Sequence, residues 1–109
     1  MVTVSAVQEF VAVRSREQVA TAAASATASE TCPETGGRAA AYRWALDPQE
    51  AAPITGRRRA VRTELDLAVE ERAAIVRSRD GDLTATERAF ARGVARALAW
   101  ILGFPPIAD

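Results

Sequence analysis

Residues 84–103 read TATERAFARGVARALAWILG and carry the clearest helical pattern in the chain. Thr84 and Glu87 have the spacing of a capping box, in which the first side chain caps the helix and the second reaches back to the cap. Gly103 favours a C-terminal cap, and Pro105-Pro106 prevents any continuation. Between these ends, apolar side chains recur three and four residues apart, at Phe90, Val94, Ala97, Leu98 and Ile101. We predict one helix from Thr84 to Leu102.

The preceding segment predicts a second helix, from Thr63 to Arg79. Its first turn is acidic and its last turn is basic, which the helix dipole favours. Asp80-Gly81-Asp82 makes a turn, so we expect the two helices to pair as an antiparallel αα-hairpin. The core stripe predicted for this helix consists of Leu65, Val69, Ala73 and Val76, with Ala68 and Ile75 beside it.

Two further regions precede this hairpin. A short helix is predicted from Ala39 to Leu46, ended by Asp47-Pro48 and followed by a loop that reaches Gly56. Residues 32–37 read CPETGG, a cluster of residues that disfavour a helix interior. The predicted organisation is therefore an Ala/Val-rich N-terminal extension, residues 1–37, which is a candidate oligomerisation element, and a helical domain, residues 38–109.

The N-terminal extension fits two interpretations. A helix from Ser5 to Ala28, which can break at Ser15, agrees with two capping-box spacings, Ser5 with Gln8 and Ser15 with Gln18. The Val-rich run from Met1 to Val13 also fits a strand, because β-branched residues pack well there. We prefer the helix. The predicted fold is a small all-α domain built on its C-terminal αα-hairpin.

The composition excludes several classes of chemistry. Among 109 residues, 25 are Ala and all 14 basic residues are Arg, while Lys, His and Asn are absent. The chain thus lacks the commonest general base and metal ligand, and the amine of Schiff-base chemistry. Cys32 is the only cysteine, which excludes disulfide frameworks and thiolate zinc sites. Neighbouring acids are expected to raise the pKa of its thiol. We therefore expect that the protein is not an enzyme and that it binds no cofactor and no metal ion.

Acidic residues and hydropathy point to an ordinary soluble protein. Glu70 and Glu71 are adjacent on a predicted helix and are expected to be solvated surface residues. The longest weakly charged stretch, residues 19–29, is far shorter than the roughly 20 apolar residues that a membrane span needs. The first residues lack the basic start of a signal peptide. We expect no membrane span and a cytoplasmic location.

Part of the chain resembles a known group of proteins. The residue strings AYRWAL at 41–46, PITG at 53–56 and ALAWILG at 97–103 are similar to those of short proteins common in high-GC bacteria and their mobile elements. The resemblance covers residues 38–109 and supports a domain that begins near Arg38. It implies no particular activity.

Arginines give the sharpest indication of a ligand. Arg57, Arg58, Arg59 and Arg62 lie within six residues, and Arg88, Arg92 and Arg96 follow at intervals of four along the last predicted helix. Such an array can hold phosphates while Trp44 or Trp100 stacks on bases. Against this, the formal net charge is zero, and Arg must supply all the surface cations in a chain without Lys. Nucleic-acid binding is therefore the alternative function.

Large apolar side chains are scarce, since the chain has only three Phe, two Trp and one Tyr. A monomeric core would be thin, so self-association is a reasonable way to complete it. The candidate interface residues are Val7, Phe10, Val11, Trp44 and Trp100, although aromatic residues at helical spacing more often belong to a core. We predict a non-enzymatic protein–protein interaction module, a homodimer or the partner of an unknown protein.

Overall fold

A computed structural model of the protein describes residues 10–29, 31–47, 49–58 and 63–105. In these residues, a short hairpin is followed by four helices. The antiparallel hairpin consists of β1 (Phe10–Val11) and β2 (Arg14–Ser15). The helices are α1 (Arg16–Ala28), α2 (Pro33–Leu46), α3 (Glu64–Ser78) and α4 (Ala85–Leu102). The prediction of an all-α fold is confirmed. Val7, Arg59 and Arg62 of the predicted sites lie outside the described residues.

Local sequence signals fix most of the helix ends. Capping boxes begin α1, α3 and α4, formed by Ser15 with Gln18, Thr63 with Asp66, and Thr84 with Glu87. In each, the hydroxyl of the cap accepts a backbone N–H three residues on, and the later side chain accepts the N–H of the cap. Gly103 ends α4 in the left-handed conformation, with φ of 75°. The predicted helix from Thr84 to Leu102 is confirmed.

Helix α4 lies at the centre of the structure. It packs against α2 on one side and against α3 on another, while α1 packs against α2. The α3–α4 contact confirms the predicted hairpin. The core therefore gathers side chains from every helix, and those with no exposed surface include Val19, Val94, Leu98 and Ile101.

Two glycines bring α2 and α4 into close contact. A Cβ atom built on Gly93 would lie 1.9 Å from the carbonyl oxygen of Glu34, and one on Gly37 would lie 2.0 Å from that of Phe90. The two backbones therefore touch where no side chain fits. This corrects the predicted helix start at Ala39: α2 begins at Pro33 and runs through Gly36-Gly37, across the predicted domain boundary.

The predicted core stripe of α3 is wrong. Leu65, Val69 and Val76 are exposed, and Ala73 is half-buried. The helix is turned by about half a rotation, so that its buried side chains are Leu67, Glu70, Glu71, Ala74 and Ser78. The facing stripe on α4 is as predicted, since Val94 and Leu98 are fully buried.

Buried hydrogen bonds explain why α3 turns an acidic residue inward. The carboxylate of Glu70 accepts the N–H of Ile54 at 2.6 Å, the N–H of Thr55 at 3.1 Å and the hydroxyl of Thr55 at 2.7 Å. A buried carboxylate with several donors costs far less than an unpaired one. Glu70 thus ties the loop after α2 to α3. The expectation that Glu70 and Glu71 are solvated is wrong, because both are buried.

The N-terminal hairpin corrects residues 10–15 of the preferred helix from Ser5 to Ala28, whose break at Ser15 agrees with the start of α1 at Arg16. Residues 10–15 form two strands, and Ala12 between them has φ of 62°. The hairpin and the start of α1 are attached to the carboxyl ends of two helices. The Val13 N–H donates to Ile101 O at 3.2 Å, Arg14 Nε to Trp100 O at 2.9 Å, and Arg16 Nη2 to Leu46 O at 2.9 Å. Cations are favoured at such ends because the terminal carbonyls lack helical partners.

Candidate interaction surfaces

An apolar stripe runs along the side of α3 that faces away from the core. Leu65 is 71% exposed, Val69 41% and Val76 62%. Their spacing of four and then seven residues places them on one helical face, which we call the α3 outer face, with Arg72 between them. Three aliphatic side chains aligned in water on one helix form a surface that another protein can cover.

The charges of α3 are segregated along its length. Glu64 and Asp66 lie in the first turn, whereas Arg72, Arg77 and Arg79 lie in the second half and just after the end. Asp66 belongs to the capping box with Thr63, and Arg77 Nη2 lies 3.5 Å from Glu87 Oε2 of α4. Glu64, Arg72 and Arg79 are exposed, and Arg72 and Arg79 lie one turn from Val69 and Val76 of the outer face. The first turn of α3 is therefore acidic and its carboxyl end is basic.

The predicted arginine array is distributed over separate places. Arg57 and Arg58 are exposed in the loop after α2, where Arg58 Nη1 donates to Gln49 O at 2.9 Å. On α4, Arg88 Nη1 donates to Leu83 O at 2.6 Å, and Arg96 pairs with Glu34 of α2. Arg92 is half-buried on the same helix. At least two guanidinium groups of the α4 stripe therefore already hold neighbouring parts of the fold.

The predicted interface residues occupy different environments. Trp44 is buried in the core, and Phe10 is exposed on the hairpin beside half-buried Val11. Trp100 is half-buried, with the Arg14 guanidinium carbon 4.5 Å from its ring centroid. Tyr42 packs edge-on against it, with ring centroids 6.0 Å apart. Phe10, Val11 and Trp100 thus lie at the N-terminal hairpin, whereas Trp44 contributes to the core.

Sequence reasoning missed the α3 outer face and two arginines, Arg14 and Arg38. Arg14 and Arg38 line one cavity with Arg96, although they are far apart in sequence. For Arg14, the sequence does contain one indication, because the helical periodicity breaks down before Ser15. This break marks a separate element from which the guanidinium of Arg14 can reach the carboxyl end of another helix. Nothing in the sequence around Arg38 indicated its neighbours.

The carboxyl group of Glu71 and the thiol of Cys32 have shifted pKa values. Burial raises the pKa of Glu71, and the nearby Arg72 charge partly opposes this. At the start of α2, hydrogen bonds from Thr35 lower the pKa of the Cys32 thiol; Sγ lies 3.2 Å from Thr35 Oγ1. The expectation of a raised Cys32 pKa is wrong, because the hydrogen bonds outweigh the charge of Glu34.

The described ranges contain no cluster of three or more His, Cys, Asp or Glu side chains that could hold a metal ion. Among those same residues, every helix falls short of the length and apolar character needed to cross a bilayer. Comparisons with protein-family models, with curated proteins and with solved structures found no match for this chain.

Proposed function

We propose that this protein is a non-enzymatic protein–protein interaction module that self-associates through the α3 outer face. The observation that carries the proposal is the exposure of Leu65, Val69 and Val76 in one line along α3. Covering such a line removes apolar surface from water, which is the main favourable term in association. A cytoplasmic location suits a chain whose single cysteine has no second thiol for a disulfide.

A second copy of the chain fits this face better when the two α3 helices run antiparallel. A two-fold axis across the centre of α3 brings Leu65 of each copy next to Val76 of the other. The same operation places the acidic first turn of each helix beside the basic end of the other, Glu64 near Arg79. A parallel arrangement would instead put like charges together. Arg72 would lay its aliphatic stem over the face while its charge reaches the rim.

The size of the stripe predicts a weak dimer. Full burial of a Val or Leu side chain contributes about 1.5–3 kcal/mol, so covering the exposed fractions of three side chains on both copies contributes about 5–10 kcal/mol. Association costs at least about 4 kcal/mol in lost freedom of motion. The net free energy of association is then no more favourable than about −6 kcal/mol, so dimerisation is expected only at protomer concentrations from about 40 µM into the millimolar range.

Sedimentation velocity across that concentration range tests the proposal. The wild type should shift from monomer to dimer, and the triple variant L65Q/V69T/V76T should remain monomeric with an unchanged circular dichroism spectrum. The matched control is V13T, an exposed valine of the N-terminal hairpin, which should dimerise as the wild type does. Self-association that survives the triple variant and is lost with V13T would place the interface at the hairpin instead.

A charge exchange tests the antiparallel geometry. E64R and R79E should each weaken the dimer, because each creates two like-charge contacts across the two-fold axis. The double variant E64R/R79E should restore it, since every contact is then again between opposite charges. Failure of the double variant to restore association contradicts the antiparallel arrangement.

Nucleic-acid binding is the alternative proposal, supported by the exposed Arg57 and Arg58. It is weakened by the internal hydrogen bonds of Arg88 and Arg96 and by the zero net charge. Titration of labelled random duplex DNA at two salt concentrations separates the two functions. Binding that falls steeply with salt and is lost in R57Q/R58Q would favour the alternative.

A further inference from the structure

A cavity of about 440 Å³ opens between the N-terminal hairpin, α2 and the end of α4. Its lining combines three cations with three aromatic side chains: Arg14, Arg38, Arg96, Tyr42, Trp100 and Phe104. Small-molecule sites have volumes of about 300–1,000 Å³ and pair apolar walls with a few polar groups. The volume and the composition of this cavity both match that description.

Arg14 is held in position before any ligand arrives. Its guanidinium carbon lies 4.5 Å from the Trp100 ring centroid, and its Nε donates to Trp100 O at 2.9 Å. Its two terminal nitrogens donate no hydrogen bond to any residue in the described ranges. A guanidinium that is already fixed loses little conformational freedom on binding an anion, and its remaining N–H groups suit two oxygen atoms.

The other charges around the cavity leave it cationic. Arg96 pairs with Glu34, so that guanidinium is balanced by a carboxylate. Arg38 is exposed and donates no hydrogen bond to a described residue, although its charge acts on the Tyr42 hydroxyl. Among the described residues, no acidic side chain lines this cavity. In that part of the chain, Arg14 and Arg38 therefore supply two positive charges without a balancing carboxylate on the cavity wall.

We propose that this cavity binds a small planar aromatic compound that carries a carboxylate or phosphate group. The anionic group binds Arg14 and Arg38, and the ring packs against Trp100 and Phe104. The aromatic walls bind the ring through apolar burial and ring contacts. Either part alone is a weak ligand, and their combination gives specificity. This site is separate from the α3 outer face, so it stands independently of the proposed dimer.

Calorimetric titration of the full chain with four probes tests the proposal. Naphthalene-2-carboxylate and 2-naphthyl phosphate carry both a ring and an anion, whereas 2-naphthol lacks a full charge and acetate lacks the ring. The first two should bind at least about tenfold more tightly than the last two, as expected for charge-assisted hydrogen bonds. Comparison of the first two distinguishes a carboxylate from a phosphate ligand. Equal binding of 2-naphthol and naphthalene-2-carboxylate would overturn the proposal.

Variants locate the binding in this cavity. R14Q and R38Q should each weaken binding of the tighter anionic probe by about tenfold. R43Q changes another exposed arginine of α2, outside the cavity lining, and should leave binding within about twofold. NMR correlation spectra should show the Trp100 indole N–H signal moving on titration and the fold intact in each variant. If R14Q unfolds the hairpin because the Arg14 contacts are lost, R38Q still tests the site. Binding that is unchanged in R38Q, or a Trp100 signal that stays still, would overturn the proposal.

Discussion

Substitution of Gly93 by alanine tests the packing of α2 on α4. The added Cβ atom would lie 1.9 Å from the carbonyl oxygen of Glu34, whereas ordinary contacts begin near 3.4 Å. The two helices would have to separate by about 1.5 Å, the difference between these distances. Backbone atoms form the obstacle, so no rotation of a flexible side chain can relieve it.

Two opposing contributions decide the effect of G93A on the free energy of unfolding. Alanine stabilises a helix interior by about 1 kcal/mol relative to glycine. Overpacking of a close contact costs about 1–3 kcal/mol. The upper value, about 3 kcal/mol, applies here because the atoms in the way belong to the backbone of Glu34 and Arg38. We predict a net loss of about 2 kcal/mol.

Urea unfolding followed by far-ultraviolet circular dichroism measures this loss, and G81A is the control because a Cβ atom there meets nothing within 4 Å. G81A should stay within about 0.5 kcal/mol of the wild type, as surface changes usually do. The double variant G37A/G93A should lose less stability than the sum of the single variants, because one separation of the helices accommodates both methyl groups. Wild-type or higher stability of G93A would refute the close helix contact.

Three further predictions concern buried and capping groups. E70Q should lower the free energy of unfolding in urea by about 2 kcal/mol, because an amide accepts the N–H groups of Ile54 and Thr55 less well than a carboxylate does. An unchanged midpoint of urea unfolding would contradict the contact between Glu70 and the loop after α2. Burial raises the pKa of Glu71 above its unfolded value, so its ionisation destabilises the fold as pH rises through the raised pKa. E71Q should therefore be more stable than the wild type near pH 7 but not below about pH 4. The opposite pH dependence would contradict a raised pKa of Glu71. T35V removes a hydroxyl that lowers the pKa of Cys32, so thiolate absorbance should appear at higher pH than in the wild type; an unshifted titration would rule out that hydrogen bond.

Helix ends were predictable where the signal lies within a few residues. Thr84 with Glu87 and Ser15 with Gln18 form the capping boxes that their spacing predicts, and Gly103 takes the left-handed conformation. These contacts depend on neighbouring residues alone, so tertiary structure does not alter them. The pairing of α3 with α4 was also predictable, because a short turn between two helices leaves them antiparallel.

The orientation of α3 and the start of α2 depend on distant residues and could not be predicted in this way. Leu65, Val69 and Val76 form the more apolar face of α3, yet the buried face contains Glu70, whose donors lie 15 and 16 residues earlier. Gly37 is unfavourable in an isolated helix but is required where α2 meets the backbone of Phe90 on α4. In both cases, a contact that is remote in sequence outweighs the local preference.

The distribution of large and small side chains supports the α3 outer face as the functional surface. The crossing of α2 and α4 fills its volume with backbone, so the core needs few large side chains there. The exposed Phe10 and Phe104 each line a cavity beside Trp100 and therefore have a local role. Leu65 and Val76 line neither of these two cavities, and polar residues at these positions would serve an isolated monomer better. The proposed dimer would give this line of aliphatic side chains a role, because it would cover them.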